Sequence, residues 1–197
     1  MGGSVRGAIE VFMPLRNTAS SYGAVAKFLH WGIVILIIAQ YVLAEAADEL
    51  ADGPEKLGVI ANHKAIGMLV LLLMLTRIGW KLAQRGLPQP LPMPRAQRIV
   101  AAAGHGILYL LLLALPLSGW LMASAAGDPP GFFGLFEFPS LMGASHDLHE
   151  ALEEVHETLF DAVVVVAVLH VLAAVYHHFR VKDDTLRRML PFIGPRA

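Results

Sequence analysis

Four apolar stretches of bilayer-spanning length, loops sorted by the sign of their charge, and histidines set at two depths predict an all-α integral membrane four-helix bundle. The chain has 197 residues, 56% hydrophobic and 16% charged, with a mean hydropathy of +0.58. That hydropathy exceeds what a water-soluble core requires. A hydrocarbon core needs roughly 20 consecutive apolar residues per helix, and stretches at about 24–44, 63–82, 99–123 and 158–179 meet that length. The whole chain, 1–197, reads as one four-span domain. It has no cysteine, which excludes thioether-attached haem, iron–sulfur clusters, thiolate zinc and disulfides.

Met1 to Ser21 reads as a short tail with Gly2, Gly3, Gly7 and Pro14. The first span carries Lys27, His30 and Trp31 near its start. Its end, Ala44-Glu45-Ala46, resembles a signal-peptidase site, but the block is long enough to span and is read as retained. An acidic loop, Asp48 to Lys56, turns at Gly53-Pro54. The second span opens with His63 and Lys64 and closes with Arg77, Trp80 and Lys81. Arg85 to Arg98 is a basic connector with four prolines, expected to be extended. The third span has His105 and Tyr109 near its start and Pro116 inside, where a kink is expected. Phe132, Phe133, Phe136 and Phe138 in the next loop suit the headgroup level. Ser145 to Glu157 reads as a short amphipathic periplasmic surface helix before the fourth span, with Ser145 as its cap and Leu148, Leu152 and Val155 as its apolar side. From Leu159 to Ala174 the last span is apolar except for Asp161 and His170.

Charge fixes an expected orientation. The N-terminal tail, the second connector and the C-terminal tail, with the adjoining helix ends, hold 13 of the 15 Lys and Arg and 3 of the 16 acids. Lys56 and Lys64 stand among the other 13 acids. Under the positive-inside rule both termini are cytoplasmic and the acidic loops face the periplasm of a bacterial inner membrane.

Orientation converts sequence positions into depths. His63 and His156 lie near the outer end of their spans, and His30, His105 and His170 near the inner end. His156 and His170 are 14 residues apart, nearly on one helix face and roughly 20 Å apart along the axis. Imidazoles inside a membrane are costly unless something holds them. Two b-type haems, each with two imidazole ligands, would hold them: His63 with His156 outside, and His170 with either His30 or His105 inside. The plain alternative for any one of them is a helix-to-helix hydrogen bond. Gly32, Gly67, Gly104 and Gly106 would let a porphyrin approach the backbone, and would equally serve helix packing. Arg77, 14 residues after His63, is a propionate candidate or a positive-inside anchor. His177, seven after His170, continues the ligand stripe and is a candidate for a quinone oxygen or a propionate. His149, Glu153 and His156 are spaced i, i+4, i+7, but without the H-E-x-x-H pattern a surface zinc site is disfavoured. No nucleophilic triad or phosphate loop is present, and no nucleic-acid partner is expected.

The chain resembles the bacterial cytochrome b561 family. The matching residues are Phe28-Leu29-His30-Trp31, Asn62-His63-Lys64 with Gly67, Gly104-His105 with Leu108-Tyr109, and Pro116-Leu117-Ser118-Gly119. Val155-His156-Glu157-Thr158-Leu159, Leu169-His170, His177-His178, Lys182-Asp183-Asp184-Thr185-Leu186 and Arg188-Met189-Leu190-Pro191 complete the set. The resemblance implies two haem b groups, with His30 and His170 as inner ligands and His63 and His156 as outer ones. It further implies electron transfer between a periplasmic donor and ubiquinone, superoxide being the most specific donor. Only Lys56 and Lys64 offset the outer acids, which favours a basic protein donor over an anion. The runner-up reading is a membrane cytochrome b electron-transfer subunit docked to a separate dehydrogenase or hydrogenase, with no substrate site of its own.

Overall fold

The computed structural model describes residues 14–84, 88 and 91–193. Helix α1 is Ala24–Glu49, α2 is Pro54–Ala83, α3 is Arg95–Ala125 and α4 is His146–Tyr176, continued by a π-helical turn at His177–Val181. Each is long and apolar enough to cross a membrane, so the predicted all-α four-helix membrane bundle is present. Pro54 begins α2, where its missing N–H is no loss. α3 runs continuously across the buried Pro116. The expectation for residues 1–13 lies outside the described residues, as does that for residues 85–87, 89 and 90 of the proline-rich connector. From Arg95 to Arg98 that connector is already helical rather than extended.

The surface helix expected before the fourth span is not a separate element. His146 to Glu157 forms the first three turns of α4, which continues through His156 without a break. Ser145 occupies the N-cap, but its side chain makes no capping bond; its backbone N–H instead donates to the Ala125 carbonyl and ties α4 to the end of α3. Between these helices the loop forms a two-stranded hairpin, β1 at Gly131–Phe132 and β2 at Phe136–Glu137, with Phe132 paired to Phe136. Phe133 and Gly134 both have positive φ, as a tight hairpin turn demands, and glycine supplies one of the two without strain. Phe132 stacks on Phe136, and Phe138 meets both Phe132 and Trp120 edge-on. At this acidic end of the bundle the Lys64 ammonium donates to both the carboxylate and the carbonyl of Asp128, fastening α2 to the loop.

The packed interior lies among α1, α2 and α3. Ile33, Val70 and Met74 form its centre, enclosed by Leu36, Ile66, Tyr109 and Leu112. α1 lies against α2, α2 against α3, and α3 against α4. Among the described residues no Cα of α1 or α2 comes within 8 Å of a Cα of α4. α4 buries one residue, Val163. The bundle is therefore packed on three sides and held apart along the fourth, where α4 faces α1 and α2.

At the basic end the chain after α4 folds back over the start of α1. The Trp31 indole N–H donates to the Met189 carbonyl at 3.0 Å, and Ser21 Oγ donates to the Arg188 carbonyl at 3.2 Å. Lys182, at φ 61°, reverses the chain so that Asp183 returns to His177, whose Nδ1 donates to Asp183 Oδ2 at 2.6 Å. Asp183 Oδ1 accepts from the Thr185 backbone N–H at 2.9 Å. Burial alone would push the Asp183 carboxyl up, but the bonds from His177 and Thr185 together outweigh it and hold it below the ordinary value of 3.8. A carboxyl lowered on folding contributes stability above its unfolded value, and the contribution is lost as pH falls through the lower, folded one. Asp183→Ala is expected to raise amide exchange at Thr185 and its neighbours on the order of tenfold to a hundredfold. Wild-type protection there should persist down to acid pH and fall only below about 4. Hydrogen-exchange mass spectrometry across that pH range checks both.

Candidate functional site

Both pairs of histidines expected at shared depths face each other across the open side. His63 on α2 and His156 on α4 have ring centres 6.4 Å apart with planes at 71°. His30 on α1 and His170 on α4 are also 6.4 Å apart, with planes at 72°. An imidazole–metal bond is about 2 Å long, so two in line plus the distance from each nitrogen to its ring centre separate the rings by about 6 Å. Each pair has room for one metal ion between its rings, and the helices are held apart where a flat macrocycle would lie. The chemistry of neutral imidazoles in an apolar site suits haem iron.

His105 differs on three counts. It sits 5.1 Å from His170, too close for two metal bonds in line. Its partner lies on the helix against which α3 is already packed, not across the gap. Its side of α3 is exposed, whereas His30, His63, His156 and His170 are half-buried.

Residues around His156 set its tautomer. Ser118 Oγ gives its single proton to the Leu115 carbonyl at 2.8 Å, so toward His156 Nδ1, at 2.9 Å, it acts as acceptor. Nδ1 then carries the ring proton and Nε2 keeps the lone pair that a metal requires. Gly119 is the reason the ring fits: a Cβ there would lie 3.0 Å from His156 Cε1. On the facing helix the Gln40 amide donates to the His63 carbonyl at 3.0 Å, and a Cβ on Gly67 would lie 3.0 Å from that amide nitrogen. Gly67 thus makes room for Gln40, a more specific service than the one expected of it. His63 Nδ1 and Gln40 Oε1 are buried without a hydrogen-bond partner among the described residues. Gly32, Gly104 and Gly106 have no heavy atom of a packing neighbour within 4 Å of a would-be Cβ.

Arg77 binds three helices together at the basic end. Its Nε donates to Tyr109 Oη at 3.2 Å and its Nη1 to the Ala26 carbonyl at 3.3 Å. Lys81 Nζ lies 4.7 Å from the centre of the Tyr109 ring, a cation–π distance. Two of the five guanidinium N–H groups are engaged in these bonds, leaving others for a carboxylate. His177 is anchored by Asp183, so its Nε2 is the nitrogen left for another partner. His146 pairs with Glu150, and His149 Nδ1 bonds the Met122 carbonyl. Among the described residues no three ligating side chains converge to hold a free ion. Sequence reading overlooked Gln40, Ser118 and Asp128 as partners. Gln40 had a signal, being an amide deep in an apolar run. Asp128 had none, because its partner Lys64 is 64 residues away.

Ser118→Ala is expected to leave His156 in place but free its tautomer, weakening metal-group retention roughly tenfold to a hundredfold. Equilibrium titration of the stripped protein with haem checks it against wild type.

Residues 21–192 match the family model of prokaryotic cytochrome b561. The chain is 37% identical to cytochrome b561 homolog 2 of Escherichia coli K12, covering 90% of this chain and 95% of that protein. It is 32% identical to a probable superoxide oxidase, CybB, of Yersinia pestis, covering 86% and 96%. Cytochrome b562 of Cereibacter sphaeroides is 30% identical, covering 82% and 90%. A matching family model over most of the length, four spanning helices and imidazole pairs across an open seam lead to one assignment: the chain belongs to the prokaryotic cytochrome b561 family of membrane electron-transfer proteins.

Proposed function

We propose that this protein carries electrons across the bacterial inner membrane through two b-type haems, from a periplasmic donor at its acidic end to quinone at its basic, cytoplasmic end. The observation that carries the reading is the repetition of one geometry. Two imidazole pairs, equal in separation and within a degree in tilt, take one histidine each from α4 at positions 14 residues apart. A structural hydrogen bond between helices has no reason to recur with that spacing.

In this reading His63 and His156 hold the outer haem, and His30 and His170 the inner one. Bound haem supplies a reversible one-electron iron couple at each depth. The chain's own work is to fix the rings and keep water out. Ser118 and Gly119 orient His156, Gln40 steadies the backbone of His63, and Arg77 offers its remaining N–H groups to a propionate. His177, held by Asp183, offers Nε2 to a quinone oxygen or to a propionate. Ubiquinone is the acceptor that the family resemblance implies. Its two-electron reduction consumes two protons, and the basic end opens to the side that supplies them.

Two donors suit the acidic end. Superoxide is the more specific, since one relative bears the name of a probable superoxide oxidase; two superoxide ions, each giving up one electron, would balance one quinol. A basic protein is favoured by charge, because the two lysines of this end are both neutralised, Lys56 by Asp52 and Lys64 by Asp128. Lys64 is thus no free positive entrance. Salt screens such fields over about 10 Å at 0.1 M. In stopped-flow reduction, rising ionic strength should therefore speed an anionic donor and slow a basic protein.

Haem content tests the core of the proposal. The pyridine haemochrome assay should give two haems per chain for the wild type and for His105→Ala, and one for His63→Ala or His156→Ala. Full occupancy in His63→Ala, or a loss in His105→Ala, would overturn the assignment.

A further inference from the structure

α4 presents to the outside a polar pair that lipid cannot satisfy. Asp161 and Thr158 are both exposed, three residues apart on one face. Their depth follows from the neighbouring ring: Phe160 stacks on Tyr41 at 6.0 Å with planes 5° apart. Tyr41 lies four residues before Glu45, the first acid of α1, so Asp161 sits one helical turn, roughly 6 Å, inside the acidic rim. A carboxylate on a single methylene cannot reach out that far, as a lysine or arginine would. Intramembrane carboxylates almost always face the bundle interior, a cavity or a partner. Asp161 faces none of these within the chain, and among the described residues it makes no hydrogen bond or ion pair.

The same face continues inward as Val165, Val168 and Leu172, exposed by 59%, 51% and 58%. Steps of three and four residues from Thr158 to Leu172 are the spacing of a two-helix seam. The seam is also complementary to itself. Thr158 has a hydroxyl to donate and Asp161 a carboxylate to accept, so a twofold axis along the membrane normal satisfies both groups in both copies. A helix from another protein would have to bring the missing donor; a second copy already has it.

We propose that the outward face of α4 is a homodimer interface, in which Thr158 of each copy donates to Asp161 of the other and Val165, Val168 and Leu172 pack along the axis. The acidic ends then lie side by side on one face of the membrane, and the gap that faces α1 and α2 stays clear of the contact.

The absence of cysteine makes the test clean, because any disulfide must come from introduced residues. Val165→Cys and Leu172→Cys are placed on the seam, and Ile38→Cys on the exposed side of α1 as reference. Full-length protein in native membranes is oxidised with copper–phenanthroline and run on a non-reducing gel. The seam variants are expected to give a dimer of twice the chain mass, and Ile38→Cys none. Adding Asp161→Leu to Val165→Cys should lower the dimer fraction roughly tenfold, as the loss of two interhelical hydrogen bonds requires, while Asp161→Asn should retain most of it. Seam cysteines that link no better than Ile38→Cys overturn the proposal, as does a link to a different polypeptide. A dimer indifferent to Asp161→Leu overturns the bonding that defines it.

Discussion

The structure depends on a separation as much as on a contact. α4 lies against α3 but is held off α1 and α2, and what bridges the interval is four imidazoles in two pairs. Helices in a membrane gain little by burying apolar surface, since lipid tails are equally apolar; they associate through close packing and polar bonds. A seam left open between packed helices is therefore unfavourable unless another group fills it. The three-helix interior around Ile33, Val70 and Met74 gives the bundle a rigid wall, and α4 is set against that wall at a distance suited to a flat cofactor.

The bonds at the two ends of the bundle keep the spacing. At the acidic end Lys64 grips Asp128, Ser145 ties α4 to Ala125, and Trp120 bonds the Pro139 carbonyl. At the basic end Arg77 links α2 to α1 and α3, while Trp31, Ser21 and the His177–Asp183 bond draw the C-terminal segment over α1. Polar side chains are concentrated where they cost least, near the interfaces; of the few found deeper, Gln40 and Ser118 are bonded around His63 and His156, while Asp161 and Thr158 face outward. Ser118 and Gly119 show the economy of the arrangement: adjacent residues on α3 supply the acceptor for His156 and the space for its ring.

Much of this was legible in the chain. Hydropathy located the four spans, because a helix in lipid has to be long and apolar regardless of what it contacts. The depth of each histidine followed from the spans, and the pairing of His63 with His156 from depth alone. The inner pairing did not follow, since His30 and His105 share a level; the choice depends on which side of α4 each helix occupies, a property of packing that no local pattern records. The break expected at Glu157 failed for a related reason. The amphipathic pattern of His146 to Glu157 has the same period as the span after it, so a helix on the surface and a helix continuing out of the membrane look alike. Partners such as Lys64 with Asp128 are long-range and unmarked, and they neutralise a charge that the sequence left free.

α4 also acts as a ruler. His156 and His170 stand on one unbroken helix, so the interval between them is fixed by helical rise and not by any loop. One residue inserted or deleted anywhere from Glu157 to Leu169 would shift His170 by about 1.5 Å and swing it by about 100° away from His30. The loops at either end could lengthen at small cost. The loops are thus free to drift in length, while these thirteen positions can change in identity but not in number.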